Sequence, residues 1–106
     1  MSGPTVLPHP AREELSLTAV LAALSDPERL AIVCRLDEGA LDMAECFSTS
    51  PDMPKSTRSH LMKVLREAGI VQNDPAPHGP GRRVSLRRDD LQARFPGLLP
   101  AVLENA

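Results

Sequence analysis

A mainly α domain carrying one β-hairpin is the fold class that this 106-residue sequence predicts. Three observations point to it. Aromatic content is 2%, with two Phe and no Tyr or Trp, so a core must be built from Leu, Val, Ile, Ala and Met, which suits helices better than a β-sandwich. Apolar residues recur at helical spacing through the first two thirds of the chain. Near residue 84 the spacing switches to strand alternation, directly after a loop rich in Pro and Gly. The length fits one domain, small enough that pairing with a second copy would bury a useful further area.

The elements follow in order. Residues 1–10 hold three prolines and no periodicity, which predicts an irregular or mobile arm ahead of a folded domain over 11–106. The first helix runs from about Arg12 or Ser16 to Leu24, with Leu17, Val20, Leu21 and Leu24 at i, i+3, i+4 and i+7. Asp26 is a good N-cap for the second helix, and Pro27 at the first helical position loses no hydrogen bond. Leu30, Val33 and Cys34, beside Ile32 and Leu36, form its apolar face, and Gly39 suits a left-handed C-cap. A short third helix is expected over 42–47 and a Ser/Thr/Pro turn over 48–53. A long fourth helix follows over 54–68, closed by Gly69. Residues 70–72 read as a strand, 73–81 as a loop, and 82–86 as a half-exposed strand with Val84 and Leu86 on one side. Asp89 is expected to cap a helix over 90–95. Pro96 and Gly97 interrupt it, and Leu98, Leu99, Val102 and Leu103 give a last amphipathic turn or two. Helix, helix, short helix, turn, long helix, hairpin, helix is the plan of a winged helix-turn-helix, in which the long helix enters the major groove and the hairpin reaches the flanking backbone.

The net charge of −2 argues at first against a nucleic-acid partner, but its distribution argues for one. Residues 54–88 contain eight basic and two acidic side chains, a local charge of +6. The rest of the chain holds four basic and twelve acidic side chains. A basic segment in an acidic body is a local electrostatic footprint.

Two stretches carry a family resemblance. Residues 23–33 read ALSDPERLAIV, and residues 55–71 read KSTRSHLMKVLREAGIV. The first is similar to the ALSDPxRLxIL opening of the second helix in the ArsR/SmtB family, the second to that family's STVSxHLKVLREAGLV recognition helix and strand. With the wing, the resemblance covers about residues 15–91. It implies a winged-helix, dimeric repressor that leaves DNA on sensing a metal, an oxidant or another signal. The chain departs from the pattern at Arg58, where the family usually has an apolar residue, at Leu61, where it often has His, and at Pro54, which replaces a Ser or Thr cap.

On a helix of about 100° per residue, Leu61, Val64, Leu65, Ala68 and Thr57 share one arc of the fourth helix. Lys55, Ser56, Ser59, Lys63, Arg66 and Glu67 lie opposite, with His60 at the border. Ser and Lys near a helix N-terminus suit phosphates and base edges. The contact candidates on double-stranded DNA are therefore Lys55, Ser56, Thr57, Ser59, His60 and Lys63 from the helix, and Arg82, Arg83 and Arg87 from the wing. Arg58 falls about 60° from the centre of the apolar arc, where a buried unpaired guanidinium would be expensive. It is expected to turn outward or to pair with Asp42 or Glu45. His78 is expected in solvent at the loop tip.

Other functions find less support. Cys34 and Cys46 are too few for a disulfide scaffold, which suggests a reducing, cytoplasmic setting. No signal segment and no apolar run of 18 residues is present, so no membrane role is expected. The three His, at 9, 60 and 78, are scattered, and neither the third nor the last helix carries a ligand cluster, so no metal or other cofactor is expected. No catalytic set is visible, so the chain is read as no enzyme. The leading function is a sequence-specific, homodimeric DNA-binding repressor with an effector the sequence does not identify. The alternatives are a winged-helix protein-interaction module and a repressor switched by oxidation of a thiol.

Overall fold

The computed structural model describes residues 6–106. Among these residues, five α-helices and one three-stranded antiparallel sheet enclose a single core. Helix α1 (Leu17–Leu24) starts at Ser16, whose hydroxyl accepts the Ala19 N–H. Helix α2 (Pro27–Leu36) starts at Asp26, whose carboxylate accepts the Arg29 N–H at 3.0 Å. Arg29 then turns back and donates from Nε to the Ala23 carbonyl at 2.6 Å, closing the end of α1 that would otherwise lack acceptor partners. The regular i, i+4 face expected of α1 is split. Val20, Ala23 and Leu24 are buried, whereas Leu17 and Leu21 are each 46% exposed.

The expected helix over 42–47 is corrected. Leu41–Asp42 is a short strand, β1, pairing with Val84 and Arg83, and only Glu45–Phe47 turns, as a 3-10 helix. Six residues are too few to hold a helix by themselves, and two local bonds favour the alternative. The Glu45 carboxylate accepts the Asp42 N–H at 3.1 Å, and the Met43 N–H donates to the Arg82 carbonyl at 2.9 Å. Arg35 on α2 fixes the 3-10 turn by donating to the Cys46 carbonyl at 2.6 Å and to Thr49 at 2.7 Å.

Helix α3 (Lys55–Glu67) ends on Gly69 at φ +82. The Gly69 N–H bonds the Arg66 carbonyl and the Ile70 N–H bonds that of Leu65, the paired bonds that close a helix through a left-handed residue. A Cβ on Gly69 would collide with the Leu15 Cδ2, so a side chain here would displace Leu15 as well as strain the backbone. The wing consists of β2 (Val71–Pro75) and β3 (Arg82–Leu86), in register from Val71 with Leu86 to Pro75 with Arg82. The strand order is β1-β3-β2, so β2 is an edge. It runs three residues further than the expected 70–72. Pro75 is tolerated there because an edge strand need not use every N–H.

Asp89 is not the cap of the next helix. Helix α4 (Arg88–Arg94) begins from Arg87 without a side-chain cap, and Asp89 and Asp90 fill its first turn, where the helix dipole favours carboxylates. Gly97, at φ +82, separates it from α5 (Leu98–Asn105), two full turns long. Val33, Leu65, Ile70, Val71 and Val84 are fully buried where α2, α3 and the sheet meet.

The expected arm over 1–10 lies partly outside the described residues. Its described part, 6–10, is irregular and lies against α3 and the wing, where Arg66 and Arg87 donate to the Pro8 and Pro10 carbonyls at 2.8 and 2.7 Å.

Candidate nucleic-acid interface

Helix α3 is strongly two-faced. Leu61, Met62 and Leu65 are buried, whereas Lys55, Ser56, Thr57, Ser59, His60 and Lys63 are all exposed. Among the described residues, none of these six side chains makes a hydrogen bond or ion pair within the chain. Thr57 departs from its grouping with the apolar arc. It sits in the first turn, ahead of the part of α3 that packs on the core. Pro54 stands at the N-cap and offers no side-chain acceptor, so the first N–H groups of α3 remain open donors.

Arg66 also departs from the sequence reading, which placed it on the outward arc. It is 8% exposed and its guanidinium donates to the Pro8 carbonyl. At about 140° from Leu61 it is at the edge of the buried arc, and the chain at residue 8 covers it. Arg58 is half-buried, as its position predicts, but its partners are not Asp42 or Glu45. Its guanidinium donates to the Met53 and Pro51 carbonyls at 3.0 and 2.8 Å and lies 5.5 Å from the centre of the Phe47 ring. These contacts fix the turn that presents the start of α3.

The wing arginines divide. Arg83 is exposed, with no partner among the described residues. Arg82 is half-buried, donating to the Asn73 side chain at 2.8 Å and the Asn73 carbonyl at 2.9 Å. Arg87 is withdrawn from the candidate surface. Its side chain is 8% exposed and spans the Asp90 carboxylate at 2.9 Å and the Pro10 carbonyl at 2.7 Å. Asp90 takes Arg12 as well, and these two guanidinium hydrogen bonds hold its carboxyl below the usual range. Arg88 pairs with Asp37 at 2.8 Å. His78 is exposed at the wing tip.

Between the N-terminal turn of α3, β1 and the wing tip runs a groove of about 640 Å³, lined by the apolar Met43, Phe47 and Met53 and by Lys55, Arg58 and Arg82, with Asp42 as its one carboxylate. The arrangement is an open, partly basic concavity beside a polar helix face, suited to a ridge of negative charge. Cys46 is buried, and burial pushes its thiol up to about 11, the reverse of what a reactive thiolate needs. Cys34 is half-buried. No group of three or more metal-ligating side chains gathers among the described residues. No helix among them is long and apolar enough to cross a membrane.

One contact lay outside the reach of sequence reasoning. His9 and Asn73 meet across 64 residues, and nothing in the pattern around either of them signals it.

No family model matches the chain. A biofilm growth-associated repressor of Xylella fastidiosa is 37% identical over 71 residues, 62% of this chain and 61% of that protein. One from Agrobacterium fabrum is 36% identical over 67 residues, 61% of this chain and 56% of that protein. The chain thus matches about three fifths of the length of these curated relatives. Among solved structures, the transcriptional repressor BigR from Xylella fastidiosa superposes with a TM-score of 0.62 and 28% identity, covering 84% of each chain. An ArsR family transcriptional regulator superposes with a TM-score of 0.65 at 22% identity, covering 80% of this chain and 90% of that one, a likeness of fold.

Proposed function

We propose that this chain, whose fold is similar to that of ArsR-family regulators and of the repressor BigR, acts as a DNA-binding transcriptional repressor, working as a homodimer in the cytoplasm. Its relatives are named repressors and regulators, not enzymes. The observation that carries the reading is the outward face of α3. Among the described residues, six polar or basic side chains stand there without internal partners, at a helix start with open N–H donors, beside a groove that reaches the wing. Lys55, Ser56, Thr57, Ser59, His60 and Lys63 are the contacts in the major groove, and Arg83, with Arg82 behind it, is the contact on the backbone.

The dimer reading rests on apolar surface. Leu17 and Leu21 on α1 point to solvent, and Leu98, Val102 and Leu103 on α5 are only partly covered. A two-fold partner would cover both helices and set the two α3 helices about 34 Å apart, one turn of the duplex. Selection of bound genomic fragments tests this directly. The expected sites are pseudo-palindromes with that spacing, and sedimentation at micromolar concentration is expected to give a dimer. Failure to bind any duplex at low salt would hand the fold to the protein-interaction reading.

A further inference from the structure

Strand β2 is an edge, so on one side its backbone groups have no strand partner. Asn73 lies in the middle of that strand and is 3% exposed. A buried edge N–H must find an acceptor elsewhere. The Asn73 N–H finds the His9 imidazole, donating to Nε2 at 3.0 Å. The other ring nitrogen, Nδ1, lies 2.9 Å from the Leu7 carbonyl, which can only accept. Nδ1 must therefore carry the proton and Nε2 must be bare. The ring is held as one neutral tautomer by two backbone groups.

His9 sits within a strap, residues 7–10, that three elements grip at three successive residues. Arg66 of α3 holds the Pro8 carbonyl, Asn73 of β2 holds His9, and Arg87, at the junction of β3 and α4, holds the Pro10 carbonyl. A few residues on, the strap leads to Leu15, packed against Gly69 at the end of α3, and then to α1. It therefore joins three parts of the molecule: the helix with the uncovered apolar face, the end of α3 and the wing.

We propose that His9 is a positioning residue for the DNA-contacting face, a latch that holds the strap to the wing while its imidazole is neutral and lets go when it is protonated. A second proton would go on Nε2 and set an N–H against the Asn73 N–H. The charged groups around the ring act unequally. Burial, the largest effect, disfavours the cation, and Arg66 and Arg87 add to it, whereas the Leu7 carbonyl and Asp74 favour it. Burial prevails and keeps the ring below its ordinary pKa. The sign follows. The unfolded chain binds the proton more readily, so the latch is intact above the ordinary imidazole range and weakens as pH falls below about 6.5. Because Asn73 also anchors Arg82 through its side chain and carbonyl, loosening Asn73 disturbs a wing arginine directly.

The role in DNA binding rests on the repressor reading; the latch itself does not. The test compares wild type, His9→Gln and His9→Ala at about pH 8 and about pH 5.5, on either side of the imidazole range. Gln can accept the Asn73 N–H at both values, and Ala at neither. Amide exchange at Asn73, expressed as protection relative to the unstructured chain, reads the latch without DNA. Affinity for a mixed-sequence duplex at low salt reads its effect. Asn73 is expected to be protected at both pH values in His9→Gln, at neither in His9→Ala, and only at the higher one in wild type. Wild-type affinity, taken relative to His9→Gln, is expected to fall about three- to tenfold on acidification, the worth of one neutral hydrogen bond. Effects of pH on the duplex and on the rest of the protein are common to all three forms and cancel in the ratio. Should His9→Ala fail to fold, wild type against Gln decides alone. Superimposable pH profiles for wild type and Gln overturn the proposal. So does an Ala variant that frees Asn73 yet binds DNA as wild type does. If no form binds duplex, the repressor reading fails, while Asn73 exchange still decides the latch.

Discussion

Helix α3 and the wing region contain four basic residues each, and they spend them differently. On α3, Lys55 and Lys63 are exposed and unpaired, whereas Arg58 and Arg66 are turned onto backbone carbonyls. In the wing region, the Arg83 side chain alone of the four makes no hydrogen bond or ion pair among the described residues, while Arg82, Arg87 and Arg88 are engaged. Every engaged residue is an arginine, and both lysines are free. A guanidinium offers five donors in a rigid fork and can bridge two acceptors, so the fold uses it as a staple. Lysine, a mobile point charge, is left for the surface. The local charge of +6 along the sequence therefore overstates what a partner can reach. Arg87 and Arg88 are matched by carboxylates, whereas Arg58 and Arg66 keep their charge but not their freedom.

The comparison breaks most visibly at Arg87. Replacing it with Ala removes a nearly buried side chain from both Asp90 and the Pro10 carbonyl. A stability loss of about 2–3 kcal/mol is expected in urea unfolding, without a matching loss in the salt dependence of DNA binding. Acid acts on the same joint. The Asp90 carboxyl is held below its ordinary pKa by Arg12 and Arg87, so its contribution is present above about pH 3.9 and is lost as pH falls further. In an Arg87→Ala protein that acid-dependent loss is expected to shrink.

A smaller effect of the opposite kind is expected at Ser59. Its side chain makes no hydrogen bond among the described residues, so Ser59→Ala should leave unfolding unchanged. If it reads a base, the variant relaxes discrimination at one operator position by about 1–3 kcal/mol, measured by competition with single-base variants of the selected site. The smallest effect belongs to Arg88. Its pair with Asp37 leaves the two side chains 47% and 48% exposed, and Arg88→Ala is expected to cost no more than about 1 kcal/mol in stability.

What could be read from the sequence was local. Asp26 followed by Pro27 starts α2 by rules that act within one turn, and Gly69 ends α3 by the same kind of rule. What could not be read depends on contacts from far along the chain. Strand β1 has two residues and is defined only by its pairing with β3, more than forty residues along the chain. The outward faces of α1 and α3 were only partly legible, since periodicity gives an arc but not which neighbour covers it. Leu17 and Leu21 share an apolar stripe with Val20 and Leu24 yet stay open, and Arg66, on the outward arc by its angle, is covered by residue 8. Arg58 shows the middle case. Its burial followed from its angle on the helix, but its acceptors, the Met53 and Pro51 carbonyls, depended on a turn whose path no pattern gives.

The central claim is that the free side chains of α3 and Arg83 hold DNA, while the engaged arginines hold the protein. The most direct test is the salt dependence of duplex affinity for wild type and for the single variants Lys63→Ala, Arg83→Ala and Arg88→Ala. A lost phosphate contact lowers the log–log slope by about one unit. Lys63→Ala and Arg83→Ala are each expected to lower it by that amount, and Arg88→Ala to leave it unchanged. A slope that drops for Arg88→Ala, or that stays at the wild-type value for both Lys63→Ala and Arg83→Ala, contradicts the account.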